Sequence, residues 1–331
     1  MPIKSIEIMN VMGFRRQRGK AGFELQFCDG INVLIGENGV GKTTILKMIY
    51  AAAQHSAAYV EQGREKKFQY FFSNSRKDCE ALKSAGSEED NCYYKVSDGT
   101  HGFTDSLFGQ DMFHLDGWRG LNIQSVFIPT TEMLSHAKGF LAMNQKYNMP
   151  FDDTQVDIIV NASLPETREI SGIMQGIFEK ISNAIDGTVI LEDDSFYVLK
   201  RDGEKIDFSL EAEGMRKLGL IWKLIRNGLL EGGSILLWDE PEANLNPELY
   251  PLVAEILLEL QKNGVQIFAA THNYNFAKYL EIRRTEARQV MFHNLYRDNN
   301  IYAQSACRME DIKQNHMMMA DNKLLDEVYG M

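Results

Sequence analysis

The sequence predicts an α/β fold: a mostly parallel sheet with helices on both faces, an N-terminal antiparallel β subdomain and a helical insertion. Three observations carry this expectation. An apolar run over residues 31–35 enters a glycine-rich loop, and residues 43–53 then read as a helix. From Glu211 onward, helices over 214–230 and 247–262 alternate with strands over 234–238 and 265–270, and another helix starts at Tyr274. Alternation of that kind builds a parallel sheet with helices packed against it. Residues 3–9 alternate apolar and polar, as a half-buried strand does, and a second strand follows over 23–27.

The middle of the chain is less regular. Residues 55–120 are rich in Ser, Asn, Asp and Gly, and read as loops and small strands inserted in the core, with 77–90 as a mobile surface segment. A buried strand over 121–128 is stopped by Pro129. Residues 131–148 and 165–185 carry apolar residues at three- and four-residue intervals and are expected to form a helical subdomain over 131–185. Residues 188–199 and 205–208 resemble hairpin strands. The expected organisation is one domain over 1–331, with its core in 1–54 and 205–296 and a C-terminal helical tail over 297–331. No internal repeat or low-complexity tract interrupts it.

Composition excludes several classes. Hydrophobic residues are 44% and charged residues 24% of the 331, an ordinary balance for a soluble chain with a sizeable core. No window approaches the roughly eighteen apolar residues of a membrane span, and Lys4 and Glu7 in the first strand do not suit a signal peptide. Cys28, Cys79, Cys92 and Cys307 are scattered, which suits neither a zinc site nor a disulfide framework and points to a reducing, cytoplasmic setting. The net charge of −11 gives no general pull toward nucleic acid. Two local basic stretches, Arg15, Arg16, Arg18 and Lys20, and Arg64, Lys66 and Lys67, read first as solvated faces.

The chemistry lies in two motifs. Residues 36–43 (Gly36, Glu37, Asn38, Gly39, Val40, Gly41, Lys42, Thr43) match GxxxxGK[ST], followed by Thr44. Small residues let consecutive backbone N–H groups curl around a phosphate, and the helix N-terminus adds partial positive charge. Lys42 is then expected to reach the β- and γ-phosphates of ATP, and the Thr43 hydroxyl to ligate Mg²⁺. The second motif is the apolar strand over 234–238, which ends in Asp239 and Glu240. At the carboxyl edge of a parallel sheet, Asp239 is placed to hold Mg²⁺ and Glu240 to polarise the attacking water.

With Asp239-Glu240-Pro241 followed by Glu242-Ala243-Asn244-Leu245-Asn246-Pro247, the chain resembles the Walker B and D-loop of ABC-type ATPases. It resembles most the branch holding the RecF, SMC and Rad50 proteins and the overcoming-lysogenization-defect ATPases. Thr271-His272 after a buried strand looks like that family's switch histidine, which implies a γ-phosphate sensor at His272. Residues 212–217 lie where the signature motif belongs, with Gly214 25 residues before Asp239. The opening strand followed by Gly13-Phe14-Arg15 is similar to the start of these non-transporter ATPases. The resemblance covers roughly 1–53 and 205–296. It implies an ABC-ATPase head that forms a homodimer or higher homo-oligomer, with ATP contacted in trans through Gly214 and with Arg216 or Lys217 as helpers. The signature serine is replaced by Ala212 or Glu213, depending on alignment. The Q-loop glutamine is absent, and Thr130, Thr131 or Glu132 stands in its place.

Other residues rank lower. Phe14 or Arg15 is a candidate adenine stacker, with a packed loop as the alternative. His55, His101, His114, His136 and His293 share no metal spacing, and Met317–Met319 reads as a packing face or partner-docking surface. The resemblance implies an ATPase that controls a separate effector, a nuclease or toxin, in an antiviral or nucleic-acid-processing complex. The chain ends too soon after His272 to include a Toprim nuclease, and it lacks the heptads of a long coiled coil. Nucleic acid is a candidate partner, a membrane is not, and the alternative is the nucleotide-binding subunit of an ABC transporter.

Overall fold

The structure is a computed structural model that describes residues 2–16, 22–57, 68–72, 79–87, 92–108, 113–147, 149–167 and 172–330. The basic stretches at 18–20 and 64–67 lie outside the described residues. So do parts of the segment expected to be mobile.

An antiparallel sheet opens the chain. Strands β1 (Ser5–Met9) and β2 (Phe23–Gln26) join β4 (Tyr93–Ser97), β5 (Gly102–Ser106) and β6 (Phe113–Asp116) in the order β2-β1-β4-β5-β6. The core sheet is built from β3 (Ile31–Gly36), β7 (Ser125–Ile128), β11 (Ile235–Asp239), β12 (Gln266–Ala270), β13 (Val290–Asp298) and β14 (Asn300–Ala306), in the order β14-β13-β3-β12-β11-β7. All its pairings are parallel except β13 with β14. A small meander of β8 (Gly187–Glu192), β9 (Ser195–Lys200) and β10 (Lys205–Asp207) forms the third sheet.

Strand alternation divides the core in two. Val33, Ile35, Leu236 and Trp238 face one apolar cluster, while Leu34, Ile235 and Leu237 face the other. The first cluster is closed by α3 (Asp153–Ala162), α4 (Gly172–Ala184), α5 (Glu213–Arg226), α6 (Tyr250–Lys262) and α7 (Tyr274–Arg283). The second takes the buried face of α1 (Lys42–Gln54) and the N-terminal sheet. Both faces of β3 and β11 are therefore dry, which is why these strands read as continuous apolar runs.

Two expectations need correction. The insertion is not two long helices. Residues 134–136 form a single 3₁₀ turn, α2 spans Phe140–Tyr147, and α3 lies between the two stretches expected to be helical. Asp152 caps α3 and forms a reciprocal capping box with Gln155, which outweighs the loop-like composition around it. The C-terminal segment is not wholly helical either: β14 occupies Asn300–Ala306, and only α8 (His316–Tyr329) is helix of any length. No helix among the described residues is long and apolar enough to cross a membrane.

The insertion is fastened to the helix that follows the glycine-rich loop. Lys47 on α1 pairs with Asp152 at 2.9 Å, and the Tyr50 hydroxyl donates to Asp157 at 2.9 Å. At the other side of the sheet, fully buried His293 bonds through Nδ1 to Ser305 Oγ (2.7 Å) and through Nε2 to Asn32 Oδ1 (3.1 Å). Burial pushes its pKa down to about 3.

Above the unfolded-state value near 6.5, His293 is neutral in both states. As pH falls from there toward 3, the unfolded chain takes up a proton that the folded chain refuses, so stability is lost on acidification. His293→Gln should flatten the acid limb of a urea-midpoint-versus-pH profile by about 1.4 kcal/mol per pH unit between pH 6 and 4. An unchanged limb would count against the buried neutral ring.

Candidate nucleotide-binding site

β3 ends at Gly36, which has φ +133° and lies so close to the Leu295 carbonyl that no Cβ fits. The loop closes at Gly41, the N-cap of α1, with φ +93°. A Cβ there would sit 2.5 Å from the Phe14 ring. Phe14 is buried and packs on Phe23 with ring centroids 4.8 Å apart, so it is the floor of the loop and no adenine stacker. Lys42 Nζ donates to the carbonyls of Gly36 (2.7 Å) and Glu37 (2.8 Å). Burial lowers its pKa, and the carboxylates of Glu240 and Asp239 work against that shift.

β11 is buried along its length and delivers Asp239 to the same edge. Thr43 Oγ1 lies 3.1 and 2.9 Å from the two Asp239 carboxylate oxygens. Burial raises the Asp239 pKa, and the Thr43 hydrogen bond opposes the shift. Glu240 follows with φ +52°, a backbone that side chains rarely adopt and that turns the chain sharply off the strand. Its Oε1 lies 3.0 Å from His272 Nδ1. The fold thus brings Lys42, Thr43, Asp239 and Glu240 around a cavity of about 340 Å³, with His272 held at the same edge through Glu240. A larger cavity, about 530 Å³, opens beside Lys4 and Cys28 at the opposite end of β3 and holds none of the motif residues.

Gly214 stands apart from this cluster. It is buried in the first turn of α5, against Leu245, Leu249 and the Asn244 carbonyl of the loop after β11. Glu213 accepts from Asn244 Nδ2 at 2.7 Å, and buried Lys217 donates to the carbonyls of Glu240 and Ala243. Arg216 pairs with Glu132 at 3.1 Å. The charges of Lys217 and Arg216 are therefore engaged within their own chain. The same pairing removes Glu132 from the Q-loop candidates, because its carboxylate also accepts the N–H groups of Leu134 and Ser135. Thr130 is the candidate at the site, with Oγ1 3.5 Å from the Asp239 carbonyl.

Comparison with known proteins gives this geometry partial matches and a fold. A family model described as "AAA domain, putative AbiEii toxin, Type IV TA system" matches residues 134–277, and one described as "AAA domain" matches residues 5–115. A solved SMC head bound to the C-terminal winged-helix domain of ScpA is 15% identical, with a TM-score of 0.57. The alignment covers 94% of this chain and 100% of that one. The chain carries a P-loop and has the fold of an ABC-type, SMC-like head. A second SMC head, with an extended coiled coil and bound to the C-terminal domain of ScpA from Pyrococcus furiosus, is 13% identical with a TM-score of 0.51. It covers 99% of both chains. The L-cystine import ATP-binding protein TcyN of Bacillus subtilis (strain 168) is 29% identical over 142 residues, 37% of this chain. The match spans 55% of that relative's length.

The donor set of this ATPase head fits a magnesium nucleotide. Gly39, with φ +76°, has open space where a Cβ would stand, so the loop presents bare backbone to a ligand. Thr43 and Asp239 offer adjacent hard oxygen donors of the kind Mg²⁺ takes. Sequence reasoning missed three contributors. Arg297 and Ile301 line the cavity from the other end of the chain, and Glu242 sits behind it. Glu242 is buried, with its pKa raised by burial, and accepts from Thr271 Oγ1, while its second oxygen has no side-chain partner among the described residues.

Thr271→Val should remove the hydroxyl donor from that buried carboxyl, and with it the acceptor of the Asn273 N–H. The expected cost is about 1–3 kcal/mol, read as a lower urea midpoint at unchanged slope. Stability equal to wild type would show that the two bonds of the Thr271 hydroxyl, to Glu242 and from Asn273, contribute nothing net.

Proposed function

We propose that this chain binds MgATP at the cavity between the P-loop and β11 and hydrolyses it with Glu240 as general base. The carrying observation is the meeting of Lys42, Thr43, Asp239, Glu240 and His272 at one sheet edge. Bound Mg²⁺, held by Thr43 and Asp239, supplies neutralisation of phosphate charge. Lys42 serves the β- and γ-phosphates, moving from the carbonyls that now hold it. Glu240 orients a water and accepts its proton, and His272, 3.0 Å away, fixes the carboxylate and reports on the γ-phosphate. Thr130 takes the place of the Q-loop glutamine.

Two copies pair head-to-tail around ATP, each offering its α5 N-terminus near Gly214 to the other's nucleotide. Binding favours the closed pair and hydrolysis releases it. The pair controls a separate nuclease or toxin in a defence or nucleic-acid-processing complex in the cytoplasm. Support comes from the toxin–antitoxin description of the family model over 134–277 and from SMC heads solved with a bound partner domain. The helical insertion, tied to α1 through Lys47–Asp152 and Tyr50–Asp157, is the proposed route from nucleotide to partner. The identity with TcyN favours the transporter reading as the alternative.

Glu240→Gln should slow hydrolysis by about 10²–10⁴-fold and accumulate an ATP-bound dimer, followed by phosphate release and light scattering. Normal turnover in this variant would remove Glu240 as the base. Lys42→Ala should abolish ATP binding in calorimetry. Affinity purification of the tagged Glu240→Gln chain from its host should recover a nuclease or toxin, whereas recovery of a membrane permease would establish the transport reading instead.

A further inference from the structure

The cavity at the P-loop has a wall that the phosphate chemistry does not use. Besides Lys42, Thr43 and the carboxylates, it is lined by Gly13 on the loop after β1 and by Arg297 and Ile301 on the β13–β14 hairpin. These segments are nearly three hundred residues apart in sequence, yet they are stitched together. Asn300 accepts the Arg15 N–H at 3.2 Å and donates to the Arg15 carbonyl at 2.6 Å. Asn299, with φ +57°, makes the tight turn that puts Asn300 there. Gly13 is needed at the seam, because a Cβ would come within 2.8 Å of Ile301 Cδ1 and 3.7 Å of an Arg297 terminal nitrogen. Ile301 is buried and backs the wall, while Arg297 is exposed into the cavity.

Resting on the MgATP reading above, we propose that Arg297 is a nucleoside-contacting residue, and that the β13–β14 hairpin forms the side of the site that meets the base and ribose. One Arg297 N–H is spent on the Gly39 carbonyl at 2.9 Å, which fixes the guanidinium beside the P-loop and leaves its other donors and its flat face free. Such a plane suits the face of a purine and the oxygens of a ribose. The chemical class is a purine nucleoside triphosphate: its phosphates belong to Lys42 and Thr43, and its nucleoside to the hairpin.

The test compares binding of ATP and of inorganic tripolyphosphate, both with Mg²⁺, by calorimetry on the full chain and on Arg297→Ala and Arg297→Met. Wild type should bind ATP more tightly than tripolyphosphate. Both variants should weaken ATP about tenfold and leave tripolyphosphate unchanged. The methionine retains the apolar stem, so its loss of affinity isolates the guanidinium. Equal weakening of both ligands would mean that Arg297 acts only by shaping the P-loop through Gly39, and unchanged ATP affinity would mean no contact; either overturns the proposal. Equal wild-type affinity for the two ligands would also overturn it while leaving the phosphate site intact. Failure of wild type to bind either ligand would instead remove the ATP reading itself.

Discussion

The site depends on the register of three parallel strands. Leu34 of β3 pairs with Ala270 of β12, and Ala270 pairs in turn with Asp239 of β11. The next residues out continue the ladder: Thr271 N–H donates to the Leu34 carbonyl at 3.0 Å, and Glu240 N–H to the Ala270 carbonyl at 2.9 Å. The P-loop, the carboxylate pair and the histidine loop therefore leave the sheet at one level and turn over the same edge. A slip of one residue at any of these strands would exchange the side chains packed into the two core clusters and carry its motif to the wrong level. Burial of both sheet faces is what forbids the slip.

That edge concentrates charge in a dry place. Lys42, Lys217, Asp239 and Glu242 are all less than a tenth exposed. Desolvation lowers the pKa of the two lysines and raises those of the two acids. Opposite charges close by offset part of that cost. Removing one member leaves the others uncompensated, so the cluster stands or falls together. The arrangement is suited to a ligand that carries both phosphate anions and a cation, since it holds receptors for each and needs little reorganisation to accept them.

How far the sequence could be read follows from where each residue's reason lies. The P-loop, Asp239-Glu240 and Thr271-His272 were legible because each is a short contiguous string whose chemistry needs just those residue types. The parallel sheet was legible because β3, β11 and β12 are apolar throughout. Helix α3 was missed although its signal, Asp152 three residues before Gln155, was present in a loop-like stretch. The position of Arg297 was out of reach, because it depends on a hairpin meeting a loop from the start of the chain. Phe14 was ambiguous until Gly41 was found pressed against its ring. The functions of Glu132, Arg216 and Lys217 also depend on partners distant in sequence, and no local pattern distinguishes a charge spent at home from one offered to a second subunit.

The engagement of α5 with the loop after β11 has a mechanical consequence. Glu213 to Asn244, Lys217 to two carbonyls, and the packing of Gly214 on Leu245 and Leu249 join the helix to that loop at successive turns. One of the carbonyls held by Lys217 belongs to Glu240 itself, the residue with the left-handed backbone. Displacement of α5 cannot then leave Glu240 where it was. Arg216 extends the same body to Glu132 and the start of the helical insertion. Any contact made at the α5 N-terminus would thus act on the position of Glu240 through hydrogen-bonded connections. Such connections have discrete arrangements and not a continuum, and that is the property a nucleotide-controlled switch requires.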